Sequence, residues 1–224
     1  MEMRNEKWAG AVKWAGDGGL NRDFEAVILA NGDFPTHELP LSVLHSTPHV
    51  VACDGAITRY PQAEVVVGDG DSIAAAFHDR LIQVDEQEDN DLTKATRYCV
   101  GRGWRSIAYL AATGGREDHT LGNIALLMRY YRDMGVEGVM FTDYGCFTPA
   151  QGDRTFPSFK GQQVSIFNFG CQEITSEGLK WNSYAYRELW QGTLNEALTP
   201  YFTLRADGCY MVYQTYEGKE KSNG

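Results

Sequence analysis

No apolar run in the 224-residue sequence approaches the roughly 20 residues that a membrane-crossing helix needs, so no transmembrane span is expected. A secretory leader is not expected either, because the first residues alternate charge with Trp and Gly instead of building an apolar segment. Cys-x-x-Cys pairs are missing. The five cysteines (Cys53, Cys99, Cys146, Cys171, Cys209) are odd in number and far apart, and they read as reduced core residues of a cytoplasmic protein. Basic clusters are missing too. With a net charge of -10 and no Lys/Arg stripe, a general nucleic-acid surface is not expected. A polyphosphate ligand would need a metal ion and a few local cations to offset that field.

What is present is the balance of a globular chain, 43% apolar and 22% charged, long enough for one large domain or two modest ones with real cores. Strand-like apolar runs recur at 26–30, 50–53, 65–67, 81–84, 107–111 and 139–142. Between them, Leu92, Ala95 and Cys99 share one face of a helix that Gly101 and Gly103 would end. Leu121, Ile124, Ala125 and Met128 form a second such face, closed by Gly135. This alternation predicts an α/β fold, a largely parallel Rossmann-like sheet with helices on both faces.

After residue 142 the pattern changes. Gly, Pro and Ser punctuate 144–160, and shorter strand-like pieces follow at 163–169, 173–176, 201–205 and 209–216. Asp207-Gly208 predicts a two-residue hairpin between the last two. The expected organisation is an extension over 1–23, an α/β domain over 24–148, an antiparallel β-sandwich over 149–218 with the boundary near Pro149, and a tail over 219–224. The sandwich is small, so it is expected to pack on the first domain or on a second subunit.

Chemistry concentrates at strand ends. Asn31-Gly32-Asp33 follows the first strand and Asp54-Gly55-Ala56 the second, each setting a small residue beside a polar one, as a nucleotide or a plain turn would require. The third run stops at Gly68-Asp69-Gly70-Asp71-Ser72. Carboxylates that face one another are costly unless a cation lies between them, so Asp69, Asp71 and the nearby Asp91 point to a magnesium site. Two other readings stay open: a tight turn with Asp71 or Ser72 capping a helix, and the nucleophile strand of a haloacid-dehalogenase phosphatase with Asp69 as nucleophile. The acidic run 85–91 leads into the Leu92 helix, with Lys94 placed to orient Asp91 or contact phosphate. Thr113-Gly114-Gly115-Arg116-Glu117-Asp118-His119 combines exposed backbone N–H groups, a helix N-terminus and an arginine fork, which is a phosphate loop in physical terms. Asp118 could instead be only that helix's cap.

Together these motifs resemble thiamin pyrophosphokinase (thiamin diphosphokinase). Asp54-Gly55-Ala56, Gly68-Asp69-Gly70-Asp71-Ser72, Gly114-Gly115-Arg116-Glu117-Asp118-His119 and Gly178-Leu179-Lys180-Trp181 match four family motifs in order. Two positions depart: Asn90 stands where the family commonly has Thr, and Leu194, before Asn195-Glu196, where it has Ser. The resemblance implies transfer of a pyrophosphoryl group from ATP to thiamin, giving thiamin diphosphate and AMP, by a homodimer that binds the vitamin where two subunits meet. It implies Mg2+ on Asp69, Asp71 and Asp91, and catalytic roles for Asp71, Arg116 and Asp118, with Asp71 or Asp118 accepting the alcohol's proton. It also implies that Asp54, Ser72, Gln87, Asn90, Lys94, Gly114, Gly115, His119, Trp181 and Asn195 line the ATP and thiamin sites. The two departures keep a third reading in view, a thiamin- or nucleotide-binding protein without catalysis.

Overall fold

The computed structural model describes residues 22–71, 73–84, 86 and 88–218. The expectations for the extension before residue 22, for Ser72, for Gln87 and for the tail after 218 lie outside the described residues. Two compact units divide the chain, Asp23–Asp143 and the part from Tyr144 onward.

The first unit runs β1 (Ala26–Leu29), α1 (Glu38–Ser46), β2 (His49–Cys53), β3 (Val65–Gly68), β4 (Leu81–Gln83), α2 (Asp91–Gly101), β5 (Ser106–Leu110), α3 (Glu117–Met134) and β6 (Glu137–Phe141). Its strands lie in the order β6-β5-β1-β2-β3-β4, and every registered pair among them is parallel. Every residue of β1 and β3 is buried, the signature of strands covered on both faces. From β1 the order advances to β2, β3 and β4 on one side, and from β5 to β6 on the other. Crossovers of the same hand running in opposite directions put α1 and α3 on opposite faces.

Local chemistry sets the helix ends. Asn90 caps α2 by accepting from the Thr93 N–H, and Leu92, Ala95 and Cys99 are buried along one side as their spacing predicts. Gly135 ends α3 in the left-handed region at φ 64°. The expected apolar face of α3 needs correction. Leu121 is 64% exposed and Ala125 is exposed, while the buried residues are Leu127, Met128 and Tyr130. An 18-residue helix is about 27 Å long, whereas a five-residue strand spans about 17 Å, so the first turns of α3 run past the strand, and none of their residues is fully buried.

The second unit is antiparallel. Its strands are β7 (Gly145–Gln151), β8 (Arg154–Pro157), β9 (Gln162–Asn168), β10 (Ile174–Glu177), β11 (Asn195–Glu196), β12 (Tyr201–Ala206) and β13 (Cys209–Gly218). They form two sheets, β11-β9-β13-β7 and β10-β12-β8, sharing a core of Phe156, Ile166, Phe202, Leu204, Tyr210 and Val212 among others. Phe156 and Phe202 stack at 5.2 Å. The predicted hairpin at Asp207-Gly208 is not formed, because β12 pairs with β10 and β8 while β13 pairs with β7 and β9. Asp207 instead accepts from the N–H groups of Gln172 and Glu173, which turns the dipeptide into a corner between sheets. All five cysteines are free and buried. Among the described residues no helix is long and apolar enough to cross a membrane.

Candidate active site

Strand order reverses between β1 and β5, and an open α/β sheet leaves a crevice at the carboxyl ends of such a pair. The loops leaving these two strands are stitched together. Gly32 donates its N–H to the Ala111 carbonyl (2.7 Å), and Asp33 donates to the Thr113 carbonyl (3.0 Å). A Cβ on Gly32 would overlap both carbonyl oxygens, and one on Gly114 would come within 2.7 Å of the Asp33 Cβ. Glycine is therefore required at both positions. The Arg59 guanidinium adds a bond to the Gly32 carbonyl, which draws in the turn that follows β2.

Above this floor lies a cleft of about 680 Å³. Asp54, Asp69 and Asp91 line it from the ends of β2 and β3 and the start of α2, with Glu88 and Asp89 beside them. Asp54 is buried and has a left-handed φ of 37°, a conformation that costs energy outside glycine. It fits because Gly68 faces it, where a Cβ would sit 3.0 Å from the Asp54 Cβ. Asp71 is exposed and is not among the lining residues. Its N–H donates to Asp69 Oδ1 at 3.1 Å, which fixes the carboxylate of Asp69 instead.

Cations stand at two places. Lys94 is nearly fully buried, and its Nζ donates to Asp91 Oδ1 at 3.2 Å. Gly114 and Gly115, both left-handed at φ 80° and 68°, turn the chain into Arg116, the N-cap of α3. Arg116 is gripped by Asp118 through two bonds, Nε to Oδ1 at 3.1 Å and Nη2 to Oδ2 at 2.6 Å. The pair is largely exposed, so it contributes little to stability, and its two bonds set the direction of the guanidinium. Arg116's hydrogen bonds hold the Asp118 carboxyl below its usual range. His119 also lines the cleft, and its N–H donates to Asp118 Oδ1 at 3.0 Å.

Asn90, Asp91 and Asn123 complete the wall. Sequence reasoning passed over Asn123, although a polar amide one helical turn beyond His119 is a readable signal. Asp89 is held by Arg97 (2.9 Å) and Arg129 (2.8 Å).

Among the described residues no group of three Asp, Glu, His or Cys side chains is set to hold a metal ion. The carboxylates of Asp54, Asp69 and Asp91 are nonetheless hard oxygen donors facing one cleft. That set fits magnesium, which keeps several waters and is bound through one or two carboxylates plus substrate phosphates, and does not form a closed protein cage.

Trp181 and Asn195 lie in the second unit, in a separate pocket of about 270 Å³ with Tyr184, Tyr186, Gln191 and Leu194. Sequence reasoning missed the two tyrosines. Asn195 is buried and fully engaged: its Nδ2 donates to the Trp181 carbonyl (2.8 Å) and its Oδ1 accepts from the Trp181 N–H (3.1 Å). Asn195 thus braces the tryptophan. The Trp181 ring is half exposed, with the Lys180 ammonium 4.8 Å from its centre.

Two family models match the chain: thiamin pyrophosphokinase, catalytic domain, over residues 41–137, and thiamin pyrophosphokinase, substrate-binding domain, over residues 145–213. Solved structures with the same fold include a thiamine pyrophosphokinase from Bacillus subtilis, 18% identical, with a TM-score of 0.69 over 86% of this chain and 99% of that one. A thiamin pyrophosphokinase family protein from Enterococcus faecalis is 20% identical, with a TM-score of 0.71 over 87% and 100%. The thiamin pyrophosphokinase from Candida albicans is 17% identical, with a TM-score of 0.69 over 87% and 90%. No curated protein sequence matches.

Proposed function

The chain belongs to the thiamin pyrophosphokinase family, and on that premise we propose that it transfers the terminal pyrophosphoryl group of ATP to the hydroxyethyl oxygen of thiamin with magnesium as the metal. One observation carries this reading: carboxylates from two strand ends and a helix start share a switch-point cleft with a glycine loop that opens α3. In the reaction the thiamin oxygen forms a bond to the β-phosphorus. The bond from that phosphorus to the bridging oxygen breaks, its electron pair leaves with AMP, and the alcohol's proton passes to a carboxylate.

Such transfer is chiefly positioning and charge stabilisation. Asp69 and Asp91 would hold magnesium, with Asp54 beside them; bound there, the ion neutralises phosphate oxygens. The Gly114 and Gly115 backbone and the Arg116 guanidinium bind phosphate, and Asp118 aims Arg116. Lys94 keeps the inner oxygen of Asp91 occupied. In the second unit Trp181, braced by Asn195, offers an aromatic face to the cationic vitamin. The chain acts as a homodimer in this reading.

Incubation with ATP, magnesium and thiamin is expected to give AMP and thiamin diphosphate in equal amounts. Asp69→Asn should lower turnover at least about a hundredfold without changing the melting temperature. Inorganic phosphate without thiamin diphosphate, or binding without turnover, overturns the proposal.

A further inference from the structure

We propose that Asn123 is a positioning residue that, through Asn90, locks the Asp91-bearing start of α2 to the glycine loop that receives phosphate. The inference rests on the magnesium–ATP reading above. Asn123 lies within α3 and touches both loops. Its Nδ2 donates to the Ala112 carbonyl at 2.8 Å, just before Thr113-Gly114-Gly115, and its Oδ1 accepts from Asn90 Nδ2 at 3.0 Å. Asn90 Oδ1 is filled by the Thr93 N–H (3.0 Å) and the Thr93 hydroxyl (2.9 Å). With its proton committed there, the Thr93 hydroxyl accepts from the Tyr130 hydroxyl, 2.7 Å away on α3. Burial raises the Tyr130 pKa, so that donor stays protonated.

The direction of every amide in this chain is fixed by its neighbours. A carbonyl only accepts, so Asn123 must turn its nitrogen to Ala112 and its oxygen to Asn90. Asn90 must then turn its nitrogen to Asn123, which leaves its oxygen to cap α2. Only a side chain carrying a donor and an acceptor on two separate atoms can do both jobs. The threonine expected here from the family resemblance has a hydroxyl to cap the helix but lacks the second arm that reaches α3. Asn90 therefore adds to the cap a tie that sets the spacing between Asp91 and the phosphate loop. Errors of about an ångström in that spacing degrade transfer severely.

The test is Mn2+ binding by the full chain, followed by electron paramagnetic resonance with a non-hydrolysable ATP analogue, for wild type, Asn90→Thr, Asn123→Ala and the double variant. Each single change is expected to weaken nucleotide-dependent Mn2+ affinity about three- to tenfold, the scale of one lost hydrogen bond. The double variant should be no weaker than Asn123→Ala, because both remove one bridge. In turnover assays kcat should fall while KM for thiamin holds. Asn90→Thr keeps the cap and loses only the bond to Asn123, so its melting temperature should fall by only a few degrees, and it carries the test if Asn123→Ala fails to fold. Unchanged Mn2+ affinity in the singles, or additive losses in the double, overturns the bridge. Failure of the wild type to bind Mn2+ with the nucleotide overturns the bridge together with the reading beneath it, and is recognisable because it appears without any substitution.

Discussion

Gly101, Gly115 and Gly114 separate three consequences of adding a methyl group. At Gly101, the last residue of α2, a Cβ meets nothing, so Gly101→Ala should stabilise by about 0.5 kcal/mol through the unfolded chain. At Gly115 the space is also open but φ is 68°, and Ala should cost about 1–2 kcal/mol in backbone strain alone. At Gly114, with φ at 80°, the methyl group would also strike Asp33, and the loss should exceed about 3 kcal/mol. Urea unfolding of the three variants checks the order; a Gly114→Ala no worse than Gly115→Ala would show that Asp33 does not pack as described. That Gly114-Gly115 forms a turn opening a helix was legible in its place between an apolar run and an amphipathic segment. Which glycine is irreplaceable was not, since the Asp33 that decides it comes from another strand end. The place of Asn123 one turn beyond His119 was readable, but its bonds were not, since its partners Ala112 and Asn90 become neighbours only after folding.

At the scale of elements, the acidic run before α2 is not one surface. Asp89, with its side chain only 19% exposed, is clamped between Arg97 on α2 and Arg129 on α3, while Asp91 pairs with the buried Lys94. Asp89→Asn should therefore cost about 1 kcal/mol, a modest loss because both arginines are partly exposed and screened by salt. Hydrogen exchange of residues 88–92 should quicken; protection equal to wild type would mean the clamp holds nothing. The inner strands of the first unit were legible as continuous apolar runs bounded by turn residues, while the edge strand β4, partly exposed, was legible from its apolar run alone. β7 and β8 were not, their pattern being broken by Pro149 and Pro157. The Asp207-Gly208 error has the same root: local sequence says where a chain bends and not which sheet it enters next. On α3, periodicity gave the helix correctly and its buried face only in part, because the length of the neighbouring strands decides where burial begins.

For the whole molecule, the large apolar side chains left at the surface bear on assembly. Trp190 is 73% exposed, Leu194 66%, Leu189 64%, and Trp181 and Tyr184 53% each. Scattered exposed apolar residues are ordinary, but Trp181, Tyr184 and Leu194 line one pocket and Leu189 and Trp190 directly precede its Gln191-Gly192-Thr193 wall. A cluster of this kind is costly in water and is expected to be covered by a second copy of the chain. Sedimentation equilibrium should give twice the 25.0 kDa chain mass, and Trp190→Glu should return the chain mass by forcing a carboxylate into the contact. Each copy carries a net charge of -10, so self-repulsion opposes pairing over distances that salt screens. Raising the salt from about 20 mM to about 300 mM should therefore tighten the dimer, since the Debye length shrinks and apolar burial is unaffected. A dimer loosened by salt would place charge pairs at its centre in place of these aromatics, and a monomer at every concentration up to about 100 μM, well above the micromolar range of a standard-sized contact, would remove the homodimer from the proposed function.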